Sequence, residues 1–435
     1  MSGNVLIQGK RKSDRTIVEE VRTTNEGYII THNNPEAEDA FGRVRVSNPF
    51  TVFDSKLITA DKKELFWDES TVSGSGVTAS TPTIGKPYVD ILSTINTASN
   101  FVRQTFQRFN YQPGKSQLIL MTGVLNLTGG GTGVQTYFGS LDDDNGIAFM
   151  YDEGTTKVVA RSNDSGTPVD TETAQTDWNL DVMDGTGSPS NPSGILVDWT
   201  KAQIFVFDFQ WLSVGRIRWG LEIGGILYYI HEQSQVNTSI IPWASTPNLP
   251  LRYQQITTGS SAASSARVIC CSVISEGGAD FTGTTQSEGT TGTINANTLG
   301  VFYALAGARL KDAHTGTTVS PVGVSVVALT KDPFEWQLRR NPTVAGSPTY
   351  ADKADSALQT FVGDQAGNPS VNTVTGGTTI ARGFGGSGQS DATSIRSKVI
   401  LGEAIDGTKD TFVLCIRPLT VNMDAEGAML WDEVV

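Results

Sequence analysis

"RIRWGLEIGGILYYIHE", residues 216 to 232, decides the fold class. Ile217, Trp219, Leu221 and Ile223 fall on one side of an alternating pattern, and Arg216, Arg218 and Glu222 on the other. A period of two is the signature of a strand with one apolar and one polar face. Gly224-Gly225 interrupts the pattern before "ILYYI" resumes it. Both central residues of a type I′ turn need positive φ, which glycine adopts without a Cβ clash. The stretch therefore reads as a two-residue β-hairpin with Trp219 in a core.

Outward from this hairpin the same signal recurs. "SQLILMTGVLNL" (116–127), "GIAFMYDE" (146–153), "KVVARS" (157–162), "AQIFVFDFQWL" (202–212) and "ARVICCSVIS" (266–275) are strand-like runs bounded by Gly, Asn, Asp or Pro. "PVGVSVVALT" (321–330) and "TFVLCIRPLTV" (411–421) extend it toward the C-terminus. "SNFVRQTFQRFNY" (99–111) fits a helix or a strand, and its alternating aromatics favour the strand. Strand–helix alternation is missing, which argues against a parallel α/β fold. The expected fold class is all-β: an antiparallel β-sandwich or jelly roll, with an extended N-terminal arm and a second β-rich C-terminal segment. The expected divisions are an arm at 1–50, the main sandwich at 51–280, a Gly/Thr-rich linker or loop at 281–320 and a C-terminal domain at 321–435. "VTGGTTIARGFGGSGQSDATS" (374–394) reads as another glycine-rich loop.

The 435 residues carry a net charge of −13, which repels a phosphate backbone. The best basic cluster, Lys10, Arg11, Lys12 and Arg15, is followed at once by Glu19 and Glu20. It reads as a solvated start or a dock for an acidic partner, and no direct nucleic-acid contact is expected. "DAFGRVRVSNPFTVFDS" (39–55) places Arg43 and Arg45 on one face of a short extended run and Val44 and Val46 on the other, with Pro49 ending it. It reads as the hinge between arm and sandwich, with its arginines paired to carboxylates. Nothing resembles a signal peptide, and no apolar run is long enough to span a bilayer, so a soluble protein without membrane contact is expected.

The chemistry-bearing residues do not assemble into a site. His32, His231 and His314 are far apart, and Cys270, Cys271 and Cys415 lack metal-ligand spacing, so zinc is not expected and the thiols read as free and buried. "LDDDNGIAFMYDE" aligns Asp142, Asp144 and Glu153 with a calcium loop, but Gly146 and Ile147 fall where an oxygen ligand and a glycine are required. The run reads as an acidic hairpin turn. "GGGTG" (129–133) lacks the Lys-Ser/Thr of a phosphate loop, and no Gly-x-Ser-x-Gly elbow occurs. The tryptophans and Tyr228-Tyr229 raise the idea of sugar stacking, but Trp219 reads as core, with Trp211 and Trp243 undetermined. The expectation is no enzyme, with no catalytic, cofactor-binding or metal residues and no cofactor.

"DAFGRVRVSNPFTVFDSK", "RQTFQRFNYQPGKSQLILMTG", "AQIFVFDFQWLSVGRIRWGLEIGGILYYIHE", "PNLPLRY" and "CCSVISEGG" together resemble a family of virion structural proteins of tailed bacteriophages, also seen in some large DNA viruses. The resemblance runs over about residues 39 to 278. It implies a non-enzymatic component of the capsid surface, neck, baseplate or a fibre, assembled in the host cytoplasm as a homo-oligomer beside other virion proteins. On that reading, deleting residues 1–48 abolishes incorporation and leaves the β domains folded. The alternative is a lectin-like protein that binds host-surface glycans through exposed aromatics beside polar loops.

Overall fold

Gly224 and Gly225 take φ values of +65° and +83°, and the turn joins Ile217–Ile223 to Ile226–Gln233 as expected. Ile217, Trp219 and Leu221 point into a core. The structure, a computed structural model, describes residues 8–10, 18–20, 39–41, 48–57, 66–80, 82–83, 85–128, 131–278, 283–330, 332–386, 390–395, 399–420 and 423–434. The hairpin forms one edge of an eight-stranded sheet. From that edge the order is Ile226–Gln233, Ile217–Ile223, Gln203–Phe209, Ser116–Val124, Ser264–Glu276, Val89–Ser93 and Val77–Ala79, with Phe50–Lys56 also pairing Ser264–Glu276.

A seven-stranded sheet packs against it, ordered Val169–Ala174, Thr155–Ser162, Gly146–Asp152, Val134–Leu141, Leu251–Thr257, Ser99–Thr105 and Trp67–Gly74. Every ladder among the described residues is antiparallel. Aromatic rings meet between the sheets: Phe138 lies 5.6 Å from Phe205, and Phe149 lies 5.5 Å from Phe207. Edge-on aromatic pairs of this kind contribute roughly 0.5–1.5 kcal/mol beyond the area they bury.

A second core unites residues from Ile294 to Trp431. A five-stranded sheet built on Thr318–Ala328 and Met423–Val434 faces an eight-stranded one built on Phe302–Leu310, Thr411–Pro418 and Phe334–Arg340. The break between the two cores falls between Glu276 and Thr284. The chain is thus an all-β protein of two antiparallel sandwiches. Its only helical turns among the described residues are Gln175–Asp177 and Asp312–His314.

Several expectations are corrected. The 281–320 stretch is not a linker: Thr284–Gly289 and Ile294–Ala296 pair with Met423–Val434, and Phe302–Leu310 is a central strand. Threonine's β-branch suits a half-buried pleated surface, so a Thr-rich polar stretch can be sheet. The glycine-rich 374–394 stretch likewise holds Thr378–Gly385 and Ser390–Ser394, both paired. Arg218 lies on the polar face as expected, but that face is covered here and the residue is 2% exposed. Within the 1–50 arm, Gln8–Lys10 and Val18–Glu20 pair with each other. The side chains of Lys10, Arg11, Lys12 and Arg15, and the Arg43/Arg45 hinge, lie outside the described residues.

Residues 39–41 explain Arg218. Asp208 and Arg218 are cross-strand partners, with Nη2 to Oδ2 at 2.5 Å, and Tyr229 OH donates to the same oxygen. The guanidinium lies over the Tyr229 ring at 3.9 Å. Ser116 Oγ donates to Asp208 Oδ1 at 2.8 Å and accepts the Ala40 N–H at 3.2 Å. Arg216 donates to the carbonyls of Ala40 and Asp39, both at 3.1 Å. This outer-face network is roofed by the chain itself, so residues 39–41 belong to the first sandwich and not to the arm expected at 1–50. A truncation at 48 removes the roof of a buried ion pair.

Candidate functional site

The two sandwiches meet at segments 106–111 and 400–410. Phe106 accepts the Glu403 N–H at 3.1 Å, and Asp68 Oδ2 accepts the Ile405 N–H at 2.9 Å. Gly402 fits here because a Cβ at this position would sit on the Phe106 carbonyl oxygen. Asp410 holds the loop from the other side: Arg340 Nη2 at 2.7 Å, Asn341 Nδ2 at 2.7 Å and the Gly402 N–H at 3.0 Å all donate to it. Arg340 also lies over the Phe106 ring at 4.6 Å.

Arg108 is the electrostatic centre of the junction. Its guanidinium contacts Asp142 and, at 3.1 Å, Glu403, so it ties the acidic turn of the first sandwich to the second. Lys409 contacts Glu403 from the far side. Burial alone would lower the Arg108 pKa, but Asp142 and Glu403 more than offset it and hold it above its ordinary value. Burial would raise the Asp142 carboxyl; Arg108 and the N–H groups of Asn145 and Asp144 hold it below the usual range instead. The acidic turn thus closes on protein donors, with Asp142 Oδ1 accepting from Asp144 and Asn145 at 2.8 and 2.7 Å. Among the described residues no group of His, Cys, Asp or Glu could hold a metal ion.

Two cavities flank this junction. One, of about 380 Å³, is mainly apolar, with Phe50, Val52, Tyr111, Ile400 and Val434 in its wall. The other, of about 270 Å³, is polar, and is lined by Arg108, Thr246, Asn248 and the turn Ala313–Thr317. Asn248 is committed to structure: its Oδ1 accepts the Tyr111 N–H at 2.9 Å and its Nδ2 donates to the Gly316 carbonyl at 3.1 Å. The Arg108 Nε–H has no hydrogen-bond partner among the described residues. His314 and Thr315 are half-buried and their backbones are set by the 312–314 turn, while no side-chain hydrogen bond ties either to the described residues. The polar cavity therefore combines a fixed frame with uncommitted donors and acceptors. Beneath it Arg108 and Lys409 face Asp142 and Glu403, and Lys409 also reaches the exposed Asp312 at 3.8 Å.

The outer face of the seven-stranded sheet is the other concentration of polar groups. Arg161 pairs Asp170 through both Nε and Nη2, at 2.7 and 2.9 Å, and Lys157 bridges Asp152 and Glu172, at 2.7 Å each. Burial, reinforced by Asp170, pushes the Tyr137 hydroxyl between them up to about 12. A glycosidase needs one carboxyl that stays protonated and a second facing it across the scissile bond. These carboxylates are each held by a cation, the opposite environment.

Sequence reasoning singled out other residues. His231 is buried beside Trp219, with ring centroids 5.6 Å apart. Trp243 packs edge-on against Phe209, and Trp211 donates to the Ala244 carbonyl at 3.0 Å. The three cysteines are free. Of the described histidines, His314, noted only as isolated, is the one that the fold brings to a cavity at the junction. No spacing signal pointed to it, because its neighbours Arg108 and Asn248 come from the other sandwich.

No known protein family and no curated protein matches the chain. Among solved structures it is similar to an endo-1,3-β-glucanase from Streptomyces sioyaensis, at 13% identity and a TM-score of 0.36, over 52% of this chain and 96% of that one. It is similar also to the carbohydrate recognition domain of Emp47p (12% identity, TM-score 0.31, 52% and 96% covered). A legume lectin-like domain from Entamoeba histolytica gives 10% identity and a TM-score of 0.29, over 52% and 97%. At TM-scores this low the similarity assigns neither family nor chemistry to this chain.

Proposed function

We propose that this protein is a non-enzymatic glycan-recognition protein, with the polar cavity between its sandwiches as the binding site. The observation that carries the reading is a cavity of about 270 Å³ walled by Arg108, Thr246, His314 and Thr315, in which the side chains of His314 and Thr315 make no hydrogen bond to the described residues. Such a wall favours a neutral, polyhydroxylated ligand, since a phosphate or carboxylate would meet a cation already paired twice. A few convergent polar groups in a cleft between domains are the usual build of a small-molecule site. Recognition here works through hydroxyl, imidazole and guanidinium groups, because no tryptophan of the described residues is exposed. The test is a glycan array probed with the full chain: binding to a defined set of neutral glycans is expected, and uniformly flat signal would sink the reading.

A second reading, the virion structural component implied by the resemblance over residues 39–278, is favoured by one observation. The chain between Asp39 and Phe41 is pinned to the sandwich by Ser116 and Arg216, which leaves the preceding residues as a tether for a neighbour. The two readings are compatible for a protein on a particle surface. Mass spectrometry of purified particles tests the second: it predicts this chain among their components and its loss on truncation of residues 1–38. Absence of the full chain from particles would refute it.

A further inference from the structure

Two loops at one end of the first sandwich present an apolar surface that the cavity reading does not use. Residues 210–216 join Gln203–Phe209 to Ile217–Ile223, and residues 234–250 join Ile226–Gln233 to Leu251–Thr257. The loops are braced together. Gln235 N–H donates to the Val214 carbonyl at 3.2 Å, Trp243 N–H to that of Ser213 at 2.9 Å, and Trp211 Nε1 to that of Ala244 at 3.0 Å. Leu212 and Ser213 hold φ values of +33° and +64°, which non-glycine residues seldom adopt. From this brace Leu212, Val236 and Ile241 project about half exposed, and Ile240 is fully exposed.

We infer that this surface is a self-association face, occupied by the same loops of a second copy across a two-fold axis. Charge selects the occupant. The chain carries a net charge of −13, yet residues 210–215 and 233–251 contain no ionisable side chain. The charges at their base, Arg216 and Glu232, pair with each other at 3.6 Å. Two like-charged copies therefore meet with least repulsion where these loops touch. An anionic lipid surface finds no cation here, and an oppositely charged protein finds no countercharge. A two-fold contact needs a self-complementary patch, and the exposed Leu212, Val236, Ile240 and Ile241 place the same apolar groups on each copy. The brace has already ordered the loops, so little freedom is lost on contact. Four side chains fall short of the roughly 1,200–2,000 Å² of a stable interface, so the association is concentration-dependent.

Sedimentation velocity of the full chain across a wide concentration range tests this. The wild type is expected to move from monomer toward dimer, a Val236→Asp/Ile240→Asp double variant to stay monomeric throughout, and Val169→Asp, an exposed apolar position elsewhere, to behave as wild type. An unchanged melting temperature shows that the variants fold. Association of the double variant equal to the wild type, or a wild type monomeric at every concentration, would overturn the inference. So would a monomeric wild type that floats with neutral phosphatidylcholine vesicles, since the loops would then be a lipid contact.

Discussion

Asp208 and Arg218 show most clearly what a single residue does in this protein. Each is almost wholly buried, and they pair with each other, while Ser116 and Tyr229 also donate to Asp208. Removing one partner leaves an uncompensated charge, so Asp208→Ala is expected to cost about 3–5 kcal/mol, while an apolar replacement of both, Asp208→Leu with Arg218→Met, costs far less. Urea denaturation of the three proteins checks this, and equal losses for single and double variants would contradict it. Sequence alternation had placed Arg218 on the polar face of the hairpin. The alternation was right about direction and blind to cover, because the roof at residues 39–41 lies 177 positions away from Arg216, which binds it. The thiols were more legible: Cys271 and Cys415 are buried as expected, which pushes both up to about 12, whereas Cys270 is only half-buried. Neither Cys271 nor Cys415 is expected to react with a disulfide reagent at neutral pH until the protein unfolds, and rapid labelling of either native thiol would contradict that burial.

At the scale of elements, the hairpin at 217–233 was readable because its apolar period and its Gly-Gly turn agree. The sheets at 284–310 and 378–394 were not, because threonine and glycine mark turns in sequence while long-range pairing decides their state. The junction was unreadable for a similar reason, since Arg108 and Glu403 are brought together only by the fold. Two outcomes belong here. Gly402→Ala should loosen the junction, read as faster amide exchange at Glu403 and Ile405 with the sandwich cores still protected. Asp142, whose carboxyl is held below its ordinary 3.8 in the folded protein, contributes stability that is complete above about pH 4. That contribution fades as the pH falls through the lowered value. Asp142→Asn should therefore be less stable than wild type near neutrality, with the gap narrowing on acidification. A gap constant with pH would place the effect elsewhere.

For the whole molecule, two sandwiches meet through an ion-paired joint that leaves a polar cavity open at its side. The two-layer β architecture could be read from alternation and turn residues, but the cavity could not, since its walls come from loops and a turn of both units. Its uncommitted groups are His314 and Thr315, whose side chains carry no part of the frame. The measurement that bears most directly on this account is calorimetric titration of an array-positive neutral glycan into wild type and into a His314→Ala/Thr315→Val variant. Loss of two polar contacts of about 1–1.5 kcal/mol each predicts binding weaker by roughly 30- to 150-fold with an unchanged melting temperature. Equal affinity for both proteins would contradict the assignment of the cavity.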